Sequence, residues 1–132
     1  TIEPYKTEWK VFDSKSSVAG TIDMVYKKPN GELFIFDWKR TTKLVNDIGT
    51  IIKTDFEYGY DELENLSNNS YNKYCLQQNL YKYILEDNYG EKVSSMNILV
   101  LHPRYHTYFH IQVPNLIKET EFLIRKAREK SI

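Results

Sequence analysis

The residue pattern predicts an α/β fold with a central mixed β-sheet of about five strands flanked by helices. Three stretches carry that prediction. Residues 21–27 and 32–39 are rich in Ile, Val, Tyr, Phe and Trp and flank Pro29-Asn30-Gly31, which reads as a β-hairpin. Residues 70–87 repeat apolar side chains at three- and four-residue intervals, the period of a helix. Residues 94–101, SSMNILVL, form a largely apolar run expected of a strand buried on both faces. A crossover from the hairpin through the helix places that strand parallel to a neighbour.

A chain of 132 residues is long enough for a single α/β core and too short for a second domain. It carries 18 basic and 18 acidic side chains, so bulk charge announces no nucleic-acid partner and any basic surface is local. The single cysteine, Cys75, has no internal partner and is expected to pack within a helix, which fits a reducing, intracellular setting. No apolar run reaches membrane-spanning length and no signal peptide is visible, so no membrane partner is expected. The chain opens at Thr1 without a methionine, as expected of a piece of a longer protein. Most of the eleven tyrosines should pack on strands and helices, with one or two available to stack on bases.

Residues 1–6 read as a lead-in, with Pro4 arguing against a helix; residues 8–12 read as a short strand and 13–17 as a polar turn. The hairpin that follows has two possible registers. A two-residue Asn30-Gly31 turn pairs Asp23 with Trp38 and Met24 with Asp37, leaving the two aspartates on opposite faces. A three-residue loop, with Gly31 supplying the positive φ of a bulge, pairs Lys28 with Glu32, Asp23 with Asp37 and Thr21 with Lys39. Pro29 suits the first loop position because its φ is preset and it has no donor to lose, so the second register is expected. Opposed residues then have Cβ atoms about 4.5–5.5 Å apart, close enough for two carboxylates to share one cation. Lys39 lies on the same face, one step along, within reach of a metal-bound water or a phosphate. Leu33, Ile35 and Val25 share that face, whereas Ile22, Met24, Tyr26, Phe34, Phe36 and Trp38 line the other; a sheet apolar on both sides is expected to be covered on both.

Residues 41–69 lose periodicity and read as a long loop or lid, either a solvated excursion or a gate over substrate or partner. Its acids, Asp55, Glu57, Asp61, Glu62 and Glu64, make it a poor DNA contact. Arg40 and Lys43, directly after the second hairpin arm, are better placed to touch phosphate. The helix over 70–87 has Asn68, Asn69 or Ser70 as its cap, Leu76, Leu80, Tyr83 and Ile84 as its apolar stripe, and Gly90 as its stop. Gln77 and Tyr81 are four apart and share a stripe beside the apolar one. His102-Pro103 ends the strand over 94–101 and leaves His102 at a strand end, where it can meet substrate.

Residues 105–113 alternate, with Tyr105, Thr107, Phe109, Ile111 and Val113 inward and His106, Tyr108, His110 and Gln112 outward, the pattern of an edge strand. His106 and His110 lack a cysteine or third ligand at zinc spacing. The last helix, over 116–130, places Leu116, Thr120, Leu123 and Ala127 on one stripe. Its basic end, Arg125, Lys126, Arg128 and Lys130, suits the helix dipole before it suggests DNA.

Gly20-x-x-Asp23 followed by Asp37-Trp38-Lys39 resembles the PD-(D/E)xK nuclease superfamily, and Gln77-x-x-x-Tyr81 is similar to the Q-x-x-x-Y element of its RecB-like branch. The resemblance runs from roughly residue 8 to residue 102 and is closest in kind to compact nucleases of large DNA viruses and mobile elements. It implies a restriction-endonuclease-like core and a Mg²⁺ or Mn²⁺ cofactor held by Asp23, Asp37 and the Trp38 backbone carbonyl. Glu8 is a further ligand candidate, against the plainer reading of a strand-end carboxylate. Asp23, Asp37, Lys39 and Gln77 are the implied catalytic residues, and Tyr81, Arg40, Lys43 and His102 the implied substrate contacts. The implied activity is hydrolysis of DNA phosphodiesters at ends or in single strands, as exonuclease or endonuclease. A helicase, a replication or recombination protein, or a domain fused upstream would be the partner, in a virus- or mobile-element-encoded protein. An RNA endonuclease of the same core, as in cap-snatching enzymes, and an inactive nucleic-acid-binding domain are the alternatives within the resemblance. Outside it stands an ordinary α/β interaction domain whose hairpin acids do no chemistry.

Overall fold

A computed structural model describes residues 1–52 and 69–130. The elements run β1 (Glu3–Phe12), β2 (Ala19–Lys27), β3 (Leu33–Lys39), α1 (Ser70–Asn88), β4 (Val93–Val100), β5 (Phe109–Gln112) and α2 (Ile117–Lys130). The five strands form one mixed sheet in the order β1-β2-β3-β4-β5, antiparallel throughout except for the β3–β4 pair. That parallel pair is the one joined through α1, as a helical crossover requires.

The β2–β3 hairpin adopts the three-residue loop. Lys28 N–H donates to Glu32 O at 2.8 Å, Gly31 N–H donates to Lys28 O at 2.9 Å, and Gly31 has φ +89. The register pairs Lys27 with Leu33, Val25 with Ile35 and Met24 with Phe36. Asp23 and Asp37 occupy its next step. The regular β2–β3 pairing ends at Met24–Phe36, so the expected Thr21–Lys39 pair does not form; Thr21 pairs with Lys10 of β1 and Lys39, on the other edge of β3, with Val100 of β4.

Val25, Leu33, Ile35, Met96, Ile98 and Val100 are buried on the face that carries the two acids. Ile22 is fully buried with them rather than lying on the opposite face, and Gly20 sits against Tyr81 of α1. The strand therefore turns its side chains over at Asp23, the residue facing Glu8 of β1, whose backbone is left-handed at φ +46. The opposite face is not covered as the apolar pattern suggested. Tyr26, Phe34, Phe36 and Leu99 remain half-buried, and Trp38 is exposed, around a shallow cleft that also includes Ile2.

β1 starts at Glu3, earlier than expected, because it is an edge strand and tolerates Pro4, with a register shift between Pro4 and Lys6. β5 is shorter than the alternation suggested. Residues 103–107 turn instead, leaving Thr107 exposed while the Tyr105 hydroxyl donates to Val45 O at 2.6 Å. That bond anchors the first part of the expected loop, where Leu44 and Val45 are buried and Val45 bridges Ile51. The remainder of that loop, including its acids and its reading as a lid, lies outside the described residues.

Asn69 caps α1 by accepting from Asn72 N–H at 2.8 Å, and Gly90 closes it at φ +68 with Glu91 N–H on Leu85 O. The helix buries Cys75, Gln78, Asn79, Tyr81, Ile84 and Leu85, so the inward stripe is rotated from the expected one and Leu76, Leu80 and Tyr83 are half-buried. Asn79 explains part of the rotation: its amide donates to Cys75 O and Pro114 O and accepts from Leu116 N–H, tying α1 to the start of α2. In α2, Thr120, Phe122 and Ile124 are buried, while Leu123 and Ala127, and Leu116 just before the helix, are half-buried, because that helix packs on α1.

Arg128 is structural. It reaches Asp13 through Nη2 at 2.8 Å and Nε at 3.0 Å, and Asp87 through Nη2 at 2.7 Å. Asp13 is fully buried and also accepts from Ser16 and Asn88, so this cluster fastens the β1–β2 turn to the ends of both helices. The Arg128 hydrogen bonds hold the Asp13 carboxyl well below the usual carboxylate range, against the opposing effect of burial. A depressed folded-state value means that this stabilisation is present above the ordinary carboxylate range and is lost as pH falls through it. Asp13→Asn should cost about 1–3 kcal/mol at pH 7 by leaving Arg128 with Asp87 as its one carboxylate partner in this cluster, and should flatten the acid limb of stability against pH below about 4. Thermal melts from pH 2 to 7 check both effects.

Candidate metal centre

The site is built where β2 and β3 part. In a continued ladder with Lys28–Glu32 as a hydrogen-bonded pair, Trp38 N–H would bond the Ile22 carbonyl. It donates instead to Asp23 Oδ2 at 2.9 Å. A carboxylate inserted into the ladder at a strand end is held by a backbone donor and kept beside its opposite number, Asp37.

Asp37 is 4% exposed, a low-dielectric setting for an acid. Burial, then the neighbouring Asp23 carboxylate, pushes its pKa up to about 6, and Lys39 opposes both. Asp37 Oδ2 lies 2.7 Å from Lys39 Nζ but carries no hydrogen bond of good geometry among the described residues. The contact is a short ion pair, and the Lys39 ammonium offsets part of the cost of burying this oxygen.

Three residues of α1 face this end of the sheet. Gln77 Oε1 accepts from Lys39 Nζ at 3.1 Å, and the Tyr74 ring lies beneath the same ammonium, 4.4 Å from centroid to nitrogen. Tyr81 is buried beside Thr21; burial, then the charge of Asp37, raises its pKa. Positions 74, 77 and 81 are spaced i, i+3 and i+7, one helical stripe. Gly20 makes room for that stripe, because a Cβ there would fall 2.4 Å from Tyr81 Cε1 and 2.8 Å from its hydroxyl.

Asp23, Asp37, Lys39, Gln77 and Tyr81 thus converge. Glu8 occupies the register position facing Asp23, between the Thr7–Met24 and Trp9–Ile22 pairs, but its side chain is exposed. Among the described residues, no three acidic, His or Cys side chains are gathered as a metal group. His102 lies at the same end of the sheet, half-buried, its Nδ1 accepting from Arg104 N–H at 3.1 Å and its ring edge-on to Tyr105. Arg40 and Lys43 are exposed on the chain leaving β3. His110 is engaged elsewhere, hydrogen-bonded through Nε2 to Asn97 Oδ1 at 2.7 Å and stacked on Phe36.

Tyr74 is the site residue that sequence reading missed. Its signal was its spacing of three residues before Gln77, hidden among the tyrosines of a Tyr-rich helix. The donor set suits a hard divalent ion that keeps most of its waters, since two adjacent carboxylates provide few but strongly anionic ligands. No protein-family model matches the chain, and no curated protein matches it either.

Two outcomes follow from this geometry. A raised folded-state pKa means that the contribution of Asp37 to stability is fully present at low pH and is lost as pH rises from about 4 to about 6. Metal-free Asp37→Asn should therefore be as stable as wild type or up to about 2 kcal/mol more stable at pH 7, and should lack that downward step. Denaturant titrations at pH 4 and pH 7 measure it, and a clear loss of stability at pH 7 would mean that other partners hold the carboxylate. Gly20→Ala should destabilise by about 1–3 kcal/mol through its collision with Tyr81, whereas Gly20→Ala combined with Tyr81→Leu should recover most of the loss.

Proposed function

We propose that this protein is a metal-dependent nuclease that hydrolyses phosphodiester bonds of DNA. The observation that carries the reading is the buried Asp37 carboxyl, set beside Asp23 and ion-paired with Lys39, whose ammonium is held from α1 by Gln77. Asp23, Asp37 and the Trp38 carbonyl would hold Mg²⁺ or Mn²⁺. When bound, such an ion supplies Lewis-acid charge at the phosphate and a water of lowered pKa.

The chain's own residues do the rest. Lys39 places a cation where negative charge grows on the phosphate oxygens, and Gln77 limits its swing by accepting a hydrogen bond from its ammonium. Trp38 N–H fixes the Asp23 carboxylate, so an anionic ligand is oriented before substrate arrives. Burial of Asp37 excludes water from the carboxylate and strengthens each charge interaction there. Arg40 and Lys43, exposed beyond Lys39, would take the flanking phosphates, and His102 at the same sheet end would meet the strand. The likeness of Gly20-x-x-Asp23, Asp37-Trp38-Lys39 and Gln77-x-x-x-Tyr81 to the PD-(D/E)xK nucleases supports DNA as the substrate and an intracellular role in nucleic-acid processing.

Incubation with labelled single-stranded DNA, duplex DNA and RNA in Mn²⁺ tests the reading. Wild type should cut DNA, with a loss of at least about 100-fold in Asp37→Ala and Lys39→Ala. Full activity in Asp37→Ala would end the ligand assignment. Preferential cutting of RNA would move the substrate to the other nucleic acid on the same machinery.

A further inference from the structure

Lys39 has a partner that the nuclease-like signature does not account for. Its ammonium carries three N–H donors. Asp37 Oδ2 lies 2.7 Å away, Gln77 Oε1 lies 3.1 Å away, and the centroid of the Tyr74 ring lies 4.4 Å from the nitrogen. An aromatic face attracts a cation through its quadrupole without accepting a full hydrogen bond, so it fixes the position of the charge while leaving its donors free. Tyr74 is half-buried, packed against the core, and rigid on α1 one helical turn from Gln77. Of the three contacts, the ring and the amide do not depend on Asp37. Both partners come from α1 and not from the carboxylate.

We propose that Tyr74 is a positioning residue that, with Gln77, holds the Lys39 ammonium in place while Asp37 is engaged elsewhere. The catalytic consequence rests on the nuclease reading; the contact itself does not. The ring face performs this role and the phenol hydroxyl is dispensable, so phenylalanine should substitute and an aliphatic residue should not.

The test compares Tyr74→Phe with Tyr74→Leu, and with Tyr74→Met as a second aliphatic variant of different shape should leucine disturb folding. In lysine-labelled protein, the Lys39 Cε protons, assigned by their absence in Lys39→Arg, should lie upfield of the other lysines through the ring current of Tyr74. Tyr74→Phe should keep that shift, and the aliphatic variants should lose it. On DNA with Mn²⁺, the aliphatic variants should lower kcat about tenfold with KM within about twofold, and Tyr74→Phe should stay within about twofold of wild type. An unchanged Lys39 signal in both aliphatic variants overturns the contact. A lost signal with unchanged kcat overturns the positioning role. Absence of cleavage in wild type overturns the nuclease reading and the catalytic consequence together, while the proton shift still decides whether Tyr74 holds the ammonium.

Discussion

Gly31 holds the backbone at φ +89, and that single left-handed residue decides which side chains meet across the hairpin. Side chains alternate with a period of two along a strand, so a loop shorter by one residue would send Asp23 and Asp37 to opposite faces. Lys28 and Glu32 close the loop by a backbone hydrogen bond and face each other as an ion pair at 3.8 Å. The count from that pair to Asp23 and Asp37 is then the same along both arms. The candidate site depends on it, because it sets Asp23 beside Asp37, whose carboxyl pairs with the Lys39 ammonium that Gln77 and Tyr74 contact from α1.

Placing two carboxylates together at a buried strand end opposes folding. Burial and mutual repulsion push Asp37 toward its neutral form, with only Lys39 acting the other way. The fold tolerates this because its stabilising contacts lie elsewhere. Ile22, Val25, Leu33, Ile35, Ile84, Leu85 and Ile98 are fully buried in one cluster, and the Asp13–Arg128–Asp87 network ties the β1–β2 turn to both helices. Strain is concentrated at the site, stability away from it, a division common where a charged constellation must be ready for a ligand.

Much of this was legible in the residues because it rests on local rules. Pro29-Asn30-Gly31 dictates a loop type, the loop dictates register, and register brings Asp23, Asp37 and Lys39 to one face. Asn68, Asn69 and Ser70 before the helical period mark a cap, of which the fold uses Asn69, and the run over 94–101 marks a buried strand that a crossover makes parallel. What could not be read depends on contacts between distant elements. The stripe that α1 turns inward contains Gln78 and Asn79 and is selected by the α2 junction rather than by hydropathy. The change of face at Asp23 coincides with left-handed Glu8 on the next strand, and a glutamate in that conformation carries no sequence signal. Gly20 looked like a motif letter, but its role is steric, to admit the Tyr81 ring. Arg128 read as one of several basic residues at a helix end until its buried partner Asp13 came into view.

The central claim is that Asp23 and Asp37 act as one ligand pair for a divalent cation. Calorimetric titration of Mn²⁺ into the protein at pH 7 tests it without reference to any substrate. The account predicts one site in wild type whose affinity falls at least about tenfold in Asp23→Asn and in Asp37→Asn, and which the double variant weakens little further. No binding by wild type, or binding that survives either single substitution unchanged, would contradict it.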